Sequence, residues 1–147
     1  MEKYRVFYLD DDRDDIELFL AATENFNNVQ VIVFTDSNSM IKNLHLVKKI
    51  PNALFVDINM PTISGYDVIK EIRVYNRYSE MPIVILSAMG YGDLERFRAV
   101  GANYFVIKPV TLDKLRRTLR LVFDIDFKTF VAKKEDFVLR DIDAIAS

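Results

Sequence analysis

Four short apolar runs of this chain end in side chains that can do chemistry. Tyr4 to Leu9 is followed by Asp10-Asp11-Asp12, Ala53 to Val56 by Asp57, Ile83 to Leu86 by Ser87, and Tyr104 to Ile107 by Lys108-Pro109. Clustered carboxylates either raise one another's pKa or bind a metal ion. A nearby ammonium neutralises charge, and a hydroxyl can donate to an anion. Taken singly, each residue has a plainer explanation. An Asp after a strand caps a helix or makes a turn, a strand-end Ser is a polar terminus, and a lone Lys is solvated. The four endings gain meaning if the fold brings them to one edge.

The elements that would do so are legible as periodicity. The four runs, together with Val29 to Phe34, are short and mostly β-branched or aromatic. They are continuously apolar rather than alternating, as strands covered on both faces of a parallel sheet are. Amphipathic segments separate them. Ile16, Phe19, Leu20 and Thr23 share one helical face. Met40, Ile41, Leu44 and Val47 share another, with Ser37 expected as its N-cap. Val68, Ile69 and Ile72 follow Gly65. Leu94, Phe97 and Val100 form a short stripe closed by Gly101, and Leu112, Leu115, Leu119 and Val122 repeat behind Thr111, a second N-cap. The order is (βα) five times, which calls for right-handed crossovers and a doubly wound α/β sheet. Ligands in such sheets bind beyond the carboxyl ends of the strands, where all four endings lie.

Composition bounds the function classes. The 147 residues suit one domain with a core of its own. Lys and Arg total 20 against 22 Asp and Glu, so there is no basic footprint for nucleic acid. Cysteine is absent, which excludes disulfides and thiolate metal sites. No apolar stretch approaches the ~20 residues of a membrane span. Met1-Glu2-Lys3-Tyr4 leads into the first run without a cleavage signal, so the cytoplasm is the expected compartment. After Phe123 the periodicity loosens. Residues 124–147 read as a C-terminal extension to a domain of residues 1–123, with Phe127 to Arg140 open to a hairpin and Lys134 to Ala146 to a helix.

Over residues 4 to about 123 the sequence resembles the receiver domain of two-component response regulators, of the single-domain, CheY-like kind. The resemblance rests on Leu9-Asp10-Asp11-Asp12, Val56-Asp57-Ile58-Asn59-Met60-Pro61, Ser64-Gly65, Leu86-Ser87-Ala88 and Lys108-Pro109. Asp57 stands 30 positions before Ser87, and Ser87 21 before Lys108. The resemblance implies a flavodoxin-like (βα)5 fold, a five-stranded parallel sheet in the order 2-1-3-4-5. It implies a phosphoryl group taken onto Asp57 from a sensor histidine kinase or a histidine phosphotransfer protein, as part of a phosphorelay. Such a protein catalyses only its own phosphorylation and dephosphorylation.

The resemblance also assigns roles. Mg²⁺ would offset the converging negative charge, with hard oxygen ligands and retained waters. Asp11 and Asp57 would bind it directly, Asp10 through water, and the Asn59 backbone carbonyl would add a ligand. Asp12 would begin the first helix. Lys108 would reach the phosphoryl oxygens, aimed by a cis Lys108–Pro109 peptide, and would pair with Asp57 beforehand. Ser87 would exchange a solvated state for a hydrogen bond to the phosphoryl group, and Phe105 would then turn inward as the switching aromatic, with Tyr104 beside it as a rival. Asn59 and Met89 would tune dephosphorylation. Partners would include an output protein the sequence does not name, and a second copy through the 92–123 face. Arg13 departs from the Pro often found there in the family. His45, the only histidine, falls on a helix away from the acidic edge.

Other classes share fragments of the pattern. A haloacid-dehalogenase-like phosphatase would use Asp10 in an Asp-x-Asp motif. It expects Thr or Val soon after the second Asp, where Asp14 stands, and a late acidic motif for which there are only Asp113, Asp124 and Asp126. It also leaves Asp57 to Gly65 without a role. A degenerate, non-catalytic receiver-type binding module would lack the acceptor or the acidic pair, and both are intact. The chain could also be one part of a larger regulator.

Overall fold

The computed structural model describes residues 3–61, 64–88, 94–128 and 137–139. Six strands form one parallel sheet: β1 (Tyr4–Leu9), β2 (Val29–Phe34), β3 (Ala53–Asp57), β4 (Ile83–Ser87), β5 (Tyr104–Ile107) and β6 (Val138–Leu139), in the order β2-β1-β3-β4-β5-β6. The expected order is present, with one strand more than expected. The helices are α1 (Arg13–Thr23), α2 (Ser37–Leu46), α3 (Gly65–Arg73), α4 (Leu94–Val100) and α5 (Leu112–Phe123).

The continuous apolar runs are explained by two cores, one on each face. Val6, Tyr8, Phe55 and Val106 pack with Phe19 of α1 and Leu115, Leu119 and Val122 of α5. Phe7, Leu9, Leu54, Val56 and Phe105 pack with Met40 and Leu44 of α2 and Val68, Ile69 and Ile72 of α3. Successive residues of a strand point to opposite faces, so each strand must be apolar at every position. The helical faces hold with one exchange. Leu20 is exposed, and Ala22 takes its place in the buried stripe of α1.

Side chains cap the strand-to-helix turns. Asp12 Oδ1 accepts the Asp15 amide at 3.0 Å, Ser64 Oγ the Asp67 amide at 3.2 Å, and Thr111 Oγ1 the Lys114 amide at 3.3 Å. The α2 cap is Asp36 rather than Ser37; its Oδ1 accepts the Ser39 amide at 2.8 Å. A carboxylate is the better acceptor next to a helix N-terminus, so Ser37 becomes the first helical residue. Gly101 closes α4 at φ +121°, a conformation L side chains avoid.

The tail adds β6 to the outer edge of β5. Phe105 pairs with Val138 and Val106 with Leu139, in parallel, and the Phe105 amide donates to the Phe137 carbonyl at 2.9 Å. Phe137 and Leu139 are buried. A hairpin would give this strand an antiparallel tail partner, and a helix would run through it; the described residues show neither. β5 has unpaired backbone donors at its edge, and the tail satisfies them while covering apolar side chains.

Candidate functional site

The parallel register lines up the strand ends. Asp57 is the last residue of β3 and pairs with Leu86; Ser87 is the last of β4 and pairs with Ile107. Asp10 follows β1 directly, its amide donating to the Phe34 carbonyl at 3.0 Å, and the Lys108 amide donates to the Ser87 carbonyl at 2.7 Å. Asp10, Asp57, Ser87 and Lys108 therefore share one edge, and all four are buried.

The Lys108 ammonium is the centre of the cluster. Its Nζ lies 2.8 Å from Asp57 Oδ2, 3.0 Å from Asp10 Oδ2 and 3.1 Å from Asp15 Oδ2. Lys has three N–H donors, and each has a carboxylate. The Lys108–Pro109 peptide, expected cis, is trans, as are all peptide bonds among the described residues; ion pairing on three sides aims the side chain. Burial by itself would lower the Lys108 pKa, but the hydrogen bond and charge of Asp57, and then of Asp10, outweigh it and leave it raised.

The two buried carboxylates are held differently. Burial pushes Asp57 above its ordinary value, against the pull of Lys108 and of the Asn59 amide, which donates to Oδ1 at 2.7 Å. Burial also works against the charge on Asp10. There the Tyr8 hydroxyl, the Asp12 amide at 2.9 Å and Lys108 prevail, and the pKa is lowered. Tyr8 donates to Asp10 Oδ2 from the buried face of β1, and its own pKa is strongly raised, first by burial and then by that hydrogen bond.

The acidic set differs from the expected one. Asp10, Asp15 and Asp57 each offer a carboxylate oxygen within 4.8 Å of the others. Asp11 is exposed and outside this group. Asp10 follows Tyr8 by two residues on an extended chain, which brings the two side chains to one side. The first turn of α1 then returns Asp15 to the edge. Sequence reasoning missed both Tyr8 and Asp15. The available signals were the i, i+2 relation to Asp10 for the first and a position three beyond the Asp12 cap for the second.

Three carboxylates against one ammonium leave an excess of two negative charges in a largely buried site. A hard divalent cation suits such an all-oxygen donor set.

Ser87 is not solvated as expected. Its hydroxyl donates to Asn59 Oδ1 at 2.8 Å, and the Ala88 amide donates to the same oxygen at 2.9 Å. The amide oxygen of Asn59 is therefore engaged with β4. Phe105 is already inward, 1% exposed, with ring centroids 6.4 Å from Phe97 and 6.3 Å from Phe137. Tyr104 lies on the opposite face with Leu115 and Leu119. Met89 falls outside the described residues. His45, in the last turn of α2, has its Nδ1 2.8 Å from the Tyr78 hydroxyl and takes no part in the cluster.

Comparison with known proteins gives a family and a fold. The family described as response regulator receiver domain matches residues 6–120. A probable transcriptional regulator, ycf27 of Galdieria sulphuraria, is 32% identical over 113 residues, 76% of this chain and 42% of the relative. Chemotaxis protein CheY1 of Helicobacter pylori is 37% identical over 71 residues, 47% of this chain and 56% of the relative. The chain thus spans about half the length of these curated relatives. The Mn²⁺-bound form of response regulator Rcp1 superposes with a TM-score of 0.72 at 18% identity, over 86% of this chain and 96% of that one. At that identity the likeness is one of fold.

Proposed function

The chain belongs to the response regulator receiver domain family, and from that premise we propose that Asp57 accepts a phosphoryl group from a histidine kinase or histidine phosphotransfer protein in a Mg²⁺-dependent step. The observation that carries this reading is the Lys108 ammonium held 2.8 Å from Asp57 Oδ2 within a cluster of excess negative charge.

An Asp57 oxygen attacks phosphorus. The bond from phosphorus to the donor imidazole nitrogen breaks, and its electron pair stays on that nitrogen. Transfer of this kind depends on in-line positioning and charge neutralisation. The Asn59 amide orients the Asp57 carboxylate, and Lys108 supplies a point charge for the phosphoryl oxygens. Ser87 gives up Asn59 Oδ1 and donates to the phosphoryl group. Asp10 and Asp57, with Asp11 and the Asn59 carbonyl from the family pattern, would hold the cation. Bound there, it would neutralise charge between carboxylate and phosphoryl oxygens. The Mn²⁺-bound Rcp1 structure supports a divalent ion in this fold.

Asp10 is a poor candidate for a phosphatase nucleophile. It is fully buried, and Tyr8, Asp12 and Lys108 all donate to it. The protein acts as a signalling switch whose chemistry is confined to its own acceptor, with Asn59 and Met89 setting the lifetime of the phosphoryl group. Residues 1–123 form the receiver and 124–147 an extension. No helix among the described residues is long and apolar enough to cross a membrane, and we place the protein in the cytoplasm, with an output protein or a second copy engaging the 92–123 face.

Incubation with acetyl phosphate and Mg²⁺, followed by intact and tandem mass spectrometry, should place one phosphoryl group on Asp57. Asp57→Ala should take none. Equal labelling of parent and variant would overturn the assignment.

A further inference from the structure

Asp15 reaches the cluster by a different route from the other two carboxylates. Asp57 is at a strand end and Asp10 directly follows one, whereas Asp15 comes from the first turn of α1. The Asp12 cap sets that turn by accepting the Asp15 amide, and the Asp15 carboxylate then extends to Lys108 Nζ at 3.1 Å. Its neighbour Asp14 is exposed and makes no such contact. The Asp15 side chain is 36% exposed, against 0% for Asp10 and 5% for Asp57. Asp15 is the solvent-side wall of the site.

All three N–H donors of Lys108 are committed in this arrangement, so the ammonium has none left for a phosphoryl oxygen. One acceptor must be released. Asp10 and Asp57 are buried, and a buried carboxylate that loses a donor bears a desolvation cost. Asp15 can exchange the same hydrogen bond for water at little cost.

We propose that Asp15 is a positioning residue of this site with two tasks. It holds Lys108 on the open side while Asp57 is unmodified, and it supplies the third negative charge that draws in the divalent cation. It is the carboxylate Lys108 leaves when a phosphoryl group arrives. The first task rests on the acceptor reading of Asp57; the second does not.

The two tasks predict opposite effects of Asp15→Asn. By isothermal titration, Mg²⁺ should bind about 3- to 10-fold more weakly, the order one partly exposed carboxylate contributes against a divalent ion at high effective dielectric. At saturating Mg²⁺, labelling by acetyl phosphate should be as fast as in the parent or faster, because Lys108 is already released. Asp15→Glu should restore cation affinity. A purely structural role would lower the Tm without this split. Parent-like Mg²⁺ affinity in Asp15→Asn, or slower labelling at saturating Mg²⁺, overturns the proposal. If the parent itself takes no label while Asp15→Asn still loses affinity for the ion, the acceptor reading fails and the cation role of Asp15 stands.

Discussion

The Ser87 hydroxyl donates to Asn59 Oδ1 over 2.8 Å, although 28 residues separate them. With the Ala88 amide on the same oxygen, this bond clamps the loop after β3 to the end of β4. The hydroxyl expected to find a phosphoryl group is thus already engaged with the residue two beyond the acceptor. Phosphorylation would exchange one acceptor of the Ser87 hydroxyl for another. Such an exchange biases two arrangements of a strand end without a large change in hydrogen-bond count.

That exchange is testable with beryllofluoride and Mg²⁺ as a phosphoryl mimic. In the parent, amide shifts should spread from Asp57 to residues 87–108. Ser87→Ala should still bind the mimic but show weaker changes around Phe105. Because Phe105 is already buried, the change expected there is repacking against Phe97 and Phe137. The full set of shifts in Ser87→Ala would sink the switch.

Asp57→Asn should stabilise the protein at pH 7 without divalent cations. The folded carboxyl lies above its ordinary value of 3.8, so the folded state favours the neutral form. That advantage is complete below the unfolded value and is lost as pH rises through the folded one. The ionised parent therefore carries a cost that the amide lacks, and the gain should be on the order of 0.5–2 kcal/mol. Urea titrations should show the gap narrowing toward pH 4 and on adding Mg²⁺. A variant less stable than the parent at pH 7 contradicts the sign.

Phe137→Ala tests the tail. Phe137 is 2% exposed and packs on Phe105. The substitution should cost about 3 kcal/mol, the low end for a buried Phe, read as a lower urea midpoint. Unchanged stability would mean that β6 does not dock on β5 in solution.

Gly65→Ala tests the acceptor loop from behind. A Cβ at Gly65 would land on the Ile58 side chain, and Ile58 follows Asp57 directly. Pushing Ile58 should displace the Asp57 carboxylate and slow acetyl phosphate labelling at least ~10-fold, since small misplacements at a reacting group cost that much or more. Labelling at the parental rate would show that the loop absorbs the methyl group.

The local rules carried the sequence reading a long way. Continuous apolar runs required a sheet covered on both faces, helical stripes placed the layers between them, and strand ends marked Asp10, Asp57, Ser87 and Lys108. These depend on side chains within a few residues of one another, where periodicity and capping act. Asp36 replaced Ser37 as a cap because two adjacent acceptors compete, and charge decides. The relations decided only by tertiary structure join distant segments. Asp15 meets Lys108 across 93 residues, Asn59 meets Ser87 across 28, and Val138 pairs with Phe105 at a sheet edge. Asp10 joins the buried cluster because strand alternation puts it on the side of Tyr8, which donates to it. A buried donor or acceptor must find a partner wherever the packed chain supplies one. For Lys108 that meant three carboxylates from three segments, a choice that no local pattern could make.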